Sequence, residues 1–141
     1  MIGVDTTFLV QLEIVELPLH QAAHSLLDRE ILNPGVNLAL APQVLTEFLH
    51  IVKDPRRFTR PLTMQRALSR EGWWNAREVT RVYQGEAATN QMVAWLGQFL
   101  LGRKRLLNTP LAATLWCAGI RKLITSNSKD FQPFGFEVLS P

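Results

Sequence analysis

Residues 106–131 read LLNTPLAATLWCAGIRKLITSNSKDF, and within them a helix, a strand and a polar loop follow one another directly. Asn108 suits a helix N-cap, Pro110 fits the first turn, an apolar run continues to Ala118, and Gly119 supplies the left-handed residue expected just past a helix end. Leu123, Ile124 and Thr125 then form an apolar run too short for a helix, which breaks off at Ser126-Asn127-Ser128-Lys129-Asp130. The pattern predicts a buried strand feeding a polar loop. Ligands of open parallel sheets bind beyond the carboxyl ends of the strands, so Asp130 is a candidate site residue.

The same grammar extends in both directions. Ile2 to Val4 is a strand of a few residues beginning almost at the terminus, placed to lie centrally while later strands pair around it. Asp5 falls at its carboxyl end, where it or Thr6 caps a short helix carrying Phe8, Leu9 and Leu12; a cap and a site residue are equally compatible with that position. From Pro18 to Leu32 apolar residues recur at helical spacing, and Asn33-Pro34-Gly35 ends the run. Asn37 to Ala41 is a second strand. Pro42 opens the next helix, whose buried stripe is Val44, Leu45, Phe48, Leu49 and Val52, with Glu47 on its border. Met64 to Ala76 reads as a helix, Val79 to Tyr83 as a third strand, and Glu86 to Leu101 as a helix with Val93, Leu96 and Leu100 on one side, widened by Trp95 and Phe99. Phe136 to Leu139 is the fifth strand. Five short strands alternating with helices predict an α/β fold, a parallel sheet covered on both faces.

Bulk properties bound the function classes. The chain has 141 residues, 47% hydrophobic and 19% charged, which suits one domain with a proper core and excludes disorder. No apolar run approaches the ~20 residues that span a bilayer, and Asp5 with no preceding basic segment argues against a cleaved signal peptide, so a cytoplasmic address and no membrane partner are expected. Fifteen Lys and Arg against twelve Asp and Glu leave a formal charge of +3, in keeping with an anionic partner or simply with solubility. The bases concentrate in Lys53–Pro61, which holds Arg56, Arg57 and Arg60, and in Gly102-Arg103-Lys104-Arg105; each group either meets phosphates or solvates an exposed turn. Cys117, the single cysteine, reads as a buried small hydrophobe, and His20 and His24 as solvent-exposed histidines without the further ligands a metal pair needs.

Asp5, Glu47, Asn108 and Asp130 all follow strands or sit on helices that follow them. Oxygen-rich clusters of this kind suit hard divalent cations. The segments around them, Val4-Asp5-Thr6-Thr7-Phe8-Leu9, Thr46-Glu47-Phe48, Asn108-Thr109-Pro110-Leu111-Ala112-Ala113-Thr114 and Thr125-Ser126-Asn127-Ser128-Lys129-Asp130-Phe131, resemble in order the four acidic motifs of PIN-domain ribonucleases. The likeness runs from Met1 to about Leu139 and is greatest to the VapC-type toxins of toxin–antitoxin modules.

The resemblance implies a three-layer α/β/α PIN-like domain spanning residues 1–141, with a five-stranded parallel sheet. It also implies a Mg2+- or Mn2+-dependent site that hydrolyses single-stranded RNA, a homodimer, and a cognate antitoxin that blocks the site. Carried over by position, Asp5 and Glu47 match the first two acids and Asp130 the last, with Thr6 and Asn127 as polar neighbours. Asn108 stands where the family carries its third acid. It keeps a carbonyl ligand and removes one negative charge. The resemblance therefore implies a weakened nuclease or, as the alternative, a catalytically silent module that binds RNA or an antitoxin. Arg56, Arg57, Arg60, Arg103, Lys104 and Arg105 are the candidate RNA contacts, and Trp73, Trp74 and Trp95 are either core or interface aromatics.

Overall fold

The computed structural model describes residues 1–141, apart from the side chain of Glu71. Five three-residue strands, β1 (Ile2–Val4), β2 (Leu38–Leu40), β3 (Val79–Arg81), β4 (Lys122–Ile124) and β5 (Glu137–Leu139), form one sheet in the order β3-β2-β1-β4-β5, every pair parallel. The expected central place of β1 is observed. From β1 the chain steps outward through β2 to β3, then returns to the other side of β1 for β4 and β5. The sheet thus reverses direction between β1 and β4, and a crevice opens at their carboxyl ends.

Seven helices cover the sheet: α1 (Thr6–Glu13), α2 (His20–Leu27), α3 (Pro42–Val52), α4 (Met64–Arg70), α5 (Glu86–Phe99), α6 (Asn108–Cys117) and α7 (Ser128–Phe131). Helices α1 to α4 pack among themselves, and α5 to α7 form the second group, which gives the three-layer α/β/α architecture. The side chains of β1 and β2, and of β4 after Lys122, are buried because helices cover both faces, so these strands are continuously apolar rather than alternating. No helix among the described residues is long and apolar enough to cross a membrane.

Several boundaries differ from the sequence reading for local reasons. The run from Pro18 to Leu32 is α2 followed by a π-helical turn over Asp28–Leu32, and Met64 to Ala76 is α4 followed by a 3-10 turn over Glu71–Asn75. Helix α5 stops at Phe99 because Leu100 takes a left-handed conformation, φ 47°. Its buried face is Ala88, Met92, Trp95 and Phe99, while Val93 and Leu100, expected inward, are exposed. Trp95 is the residue that sets this rotation, stacking on Phe134 at 4.5 Å between centroids. Trp73 and Trp74 pack half-buried against the core. Cys117 ends α6 and is exposed, contrary to expectation, because the apolar face of α6 closes at Leu115.

His24 is exposed, as expected, and His20 is half-buried; each also makes a hydrogen bond. His20 Nδ1 lies 2.8 Å from the carbonyl of Gln11, and His24 Nε2 lies 2.9 Å from that of Leu12. A carbonyl can only accept, so both rings donate to the last carbonyls of α1, which have no partner within the helix.

Gly3 marks how closely the layers approach. A β-carbon there would stand 2.8 Å from Leu115 Cδ1 and 3.3 Å from Leu123 Cδ1, and both leucines are fully buried with no room to turn aside. Gly3→Ala is expected to cost about 1–3 kcal/mol of stability, as overpacking of a filled core does. Chemical denaturation of the two proteins measures it; an unchanged midpoint would show that α6 can lift off β1 freely.

Candidate functional site

The crevice between β1 and β4 is built around Asp5. Its backbone N–H donates to the carbonyl of Ile124 at 3.3 Å, the last contact of the β1–β4 ladder, and its side chain turns over the start of α1. Oδ1 accepts from Phe8 N at 3.2 Å and from Thr7 Oγ1 at 2.7 Å, and Oδ2 accepts from Thr125 Oγ1 at 2.5 Å. Asp5 is therefore the N-cap of α1, as one of its two sequence readings held, while its carboxylate is only 4% exposed. Burial is the largest influence on that carboxyl and raises its pKa from 3.8 to about 6; the three hydrogen bonds oppose the rise, and the nearby charge of Glu47 adds to it.

Glu47 reaches the same edge from α3, which begins directly after β2. Its Oε2 accepts from Thr6 Oγ1 at 2.8 Å, so the two residues after Val4 tie one carboxylate each: Asp5 carries its own, and Thr6 holds the second. On the other side, Asn108 Nδ2 donates to Asp130 Oδ2 at 3.0 Å, joining the start of α6 to α7. Asn108 is thus not the N-cap expected of it. It is the first residue of α6, following Leu107, and its amide is drawn away from the helix by the carboxylate of Asp130.

Thr125 links the two halves. While donating to Asp5 it accepts from Asn127 N at 2.9 Å, and Asn127 O in turn accepts from Asp130 N at 3.0 Å. A continuous hydrogen-bonded path therefore runs from Asp5 through Thr125 and Asn127 to Asp130 and Asn108. Asn127 contributes its backbone, and its exposed side chain makes no capping bond. Thr125, fully buried, is the site residue that the sequence reading passed over as the end of a strand; the signal available was a hydroxyl at the last position before a polar loop.

The basic residues divide. Arg105 Nε lies 3.7 Å from Asp130 Oδ1, an exposed pair of little energetic weight that nonetheless places a cation beside the carboxylate. Arg103 and Lys104 precede it in a 3-10 turn and are exposed. Arg56 and Arg57 both pair with Asp54, at 3.3 and 3.4 Å, and Arg60 lines a cavity of about 490 Å³ with Glu13, Glu16, Arg66 and Arg70.

Among the described residues, no three His, Cys, Asp or Glu side chains gather closely enough to enclose a metal ion. A magnesium ion does not need such a cage: it is held by one or two carboxylates, keeps several waters and takes its remaining oxygens from a phosphate. Asp5 and Glu47, close enough for each to feel the other's charge, fit that pattern in donor chemistry.

The topology and site define a PIN-like α/β/α fold. It is shared across the whole chain by the crystal structure of VapC20 from Mycobacterium tuberculosis, described as a sarcin–ricin loop cleaving toxin, with TM-score 0.77, 18% identity and full coverage of both chains. FitAcB from Neisseria gonorrhoeae matches with TM-score 0.65 and 13% identity over 99% of this chain and 96% of that one. In sequence, the chain is 25% identical to ribonuclease VapC24 of Mycobacterium tuberculosis over 136 residues, 96% of this chain and 92% of that protein. No protein-family model matches. The whole-chain likeness to ribonuclease VapC24 and the fold shared with VapC20 and FitAcB agree with the resemblance carried by the ordered motifs.

The raised pKa of Asp5 fixes the sign of a pH effect. The folded protein binds the proton more tightly than the unfolded chain, so this group's contribution is most favourable below pH 3.8 and is lost as pH rises to about 6. With each tenfold change in proton affinity worth ~1.36 kcal/mol, the loss for the cation-free protein is about 3 kcal/mol. Asp5→Asn removes the titration, and the difference in unfolding free energy between the two proteins should change by about 2 kcal/mol between pH 4 and 6.5, the part of the whole that falls inside that window. A difference independent of pH would place the carboxyl in contact with solvent.

Proposed function

We propose that the protein is a divalent-cation-dependent endoribonuclease of the VapC type, the toxin component of a toxin–antitoxin pair, acting on single-stranded RNA with an activity lowered by Asn108. The observation that carries this reading is a pair of hydrogen bonds, Thr6 to Glu47 and Asn108 to Asp130, linked through Thr125 and Asn127 to the buried Asp5 at the point where strand order reverses. The whole-chain likeness to a ribonuclease supports it.

Asp5, Glu47 and Asp130 are the residues to hold Mg2+ or Mn2+, with the free carbonyl of Asn108 as a neutral fourth donor. A bound divalent cation in such a site supplies Lewis-acid stabilisation of the charge that develops on the phosphoryl group and lowers the pKa of water. The chain's own part is positional. Thr7, Thr125 and the Phe8 amide aim the Asp5 carboxylate, Thr6 aims Glu47, and burial keeps competing water from the Asp5 oxygens. Arg105 stands where an RNA phosphate approaches Asp130.

One observation favours a second reading, a silent PIN-like module that binds RNA or an antitoxin without cutting. Asp130 already accepts from the Asn108 amide at 3.0 Å, so it has less need of a metal ion than a carboxylate facing another carboxylate.

Asn108→Asp separates the two. The sequence alone suggests that Asp would serve as well as Asn in a cap and leave stability untouched. In the structure the substitution sets two carboxylates about as close as the present hydrogen bond, so the cation-free variant should melt lower than the native protein and regain stability with manganese. Turnover of a fluorescent single-stranded RNA across a magnesium titration should rise, about tenfold for each ~1.36 kcal/mol gained in the transition state. Equal rates from two folded proteins would remove position 108 from the site.

The family likeness further supports a homodimer and a cognate antitoxin. Multi-angle light scattering should give twice the 16.0 kDa chain mass at micromolar concentration; a monomer mass would contradict self-association.

A further inference from the structure

A groove of about 330 Å³ opens beside the carboxylate site, between α1 and the loop after α3. Its floor is apolar, formed by Val10, Leu17, Ile51 and Phe58, and its polar groups are Thr7, Gln11 and Arg57. Thr7 makes it continuous with the site, since the hydroxyl that borders the groove is the one that donates to Asp5 Oδ1. Gln11 is held in place by Ser126, whose hydroxyl lies 2.8 Å from Nε2 and 3.1 Å from Oε1. A single oxygen this near both amide atoms occupies the edge on which an N–H and a lone pair lie side by side, so the second N–H and the second lone pair remain on opposite sides of a side chain that cannot swing freely. Arg57 is more than half exposed while paired with Asp54, a cation available to an anion at the groove's rim.

An oriented amide beside an apolar floor, with a cation at the rim, is complementary to a nucleotide: the remaining N–H or lone pair of Gln11 meets a base edge through one hydrogen bond, the floor takes the base's flat face, and the guanidinium takes a phosphate. We propose that this groove binds the RNA nucleotide next to the scissile phosphate, with Gln11 reading the base and Arg57 holding the backbone. The proposal rests on the nuclease reading of the adjoining site and adds to it the residues that decide sequence preference. Gln11 and Ser126, 115 positions apart, act as one reading head because α1 and the loop after β4 meet at the β1–β4 crevice.

The test is binding of short single-stranded homopolymers of A, C and U to the full chain in EDTA, read by fluorescence anisotropy, so that no cleavage is required. For the native protein, affinities should differ among the homopolymers. Gln11→Ala should reduce that spread by about 2- to 12-fold, the range one hydrogen bond contributes. Arg57→Ala should weaken all three alike and lower the slope of log affinity against log salt by about 0.7, the value for one phosphate of a single strand, whereas Arg57→Lys should keep the slope. Circular dichroism establishes that each variant is folded. If the native protein binds RNA and Gln11→Ala keeps its full base preference, the groove proposal is overturned while the nuclease reading stands. If the native protein binds no RNA in EDTA and cuts none with magnesium, both fall together.

Discussion

A buried carboxylate holds this molecule's working edge together. Asp5 stands at the end of the central strand, and its two oxygens are shared among α1, through Thr7 and the Phe8 amide, and β4, through Thr125. An ionised group in that place is costly unless hydrogen bonds or a cation compensate it. Three hydrogen bonds compensate in part, and the remaining strain shows as a pKa raised to about 6. The fold therefore keeps a charge where it is thermodynamically awkward. Such an arrangement suits a site whose missing compensation arrives with a ligand, since a cation that binds only the folded state returns stability by mass action.

The opposite half of the edge has been relaxed. Asn108 donates to Asp130, so a carboxylate that would repel a third acid instead accepts a hydrogen bond at that position, with the Arg105 charge 3.7 Å away. One residue type explains both consequences. An amide of the same shape as a carboxylate turns a repulsion that demands a metal ion into a hydrogen bond that does not. The two halves of the site are thus unequal: burial raises the pKa of the Asp5 carboxyl, whereas Asp130 is half-exposed and accepts from Asn108.

The arginines show how charge on a surface acquires meaning from its neighbours. Arg56 and Arg57 share one aspartate, Arg60 borders a cavity with two glutamates, and Arg105 alone reaches a site carboxylate. The sequence presents them as two comparable clusters. The folded chain makes them different, because only residues carried to the β1–β4 crevice, or to the groove that continues from it through Thr7, adjoin the place where chemistry is proposed.

Strand and helix order, the central place of β1 and the left-handed stop at Gly119 were legible in the sequence because each follows from local rules: short apolar runs, Pro at helix starts, Gly past helix ends. So were the acidic positions, since Asp5 and Asp130 follow strands that periodicity locates. Tertiary structure decided what local rules cannot see. The rotation of α5 depends on Trp95 finding Phe134, the histidines of α2 on the unpaired carbonyls of α1, and the exposure of Cys117 on where α6 leaves the core. Above all, Asn108 has two hydrogen-bonding choices, its own helix or the carboxylate of Asp130 twenty-two residues on, and Thr125 becomes a site residue only because β4 lies beside β1. Propensity describes a residue against its sequence neighbours; a site is made of residues that are distant in the chain and adjacent in space, and only packing brings them into contact.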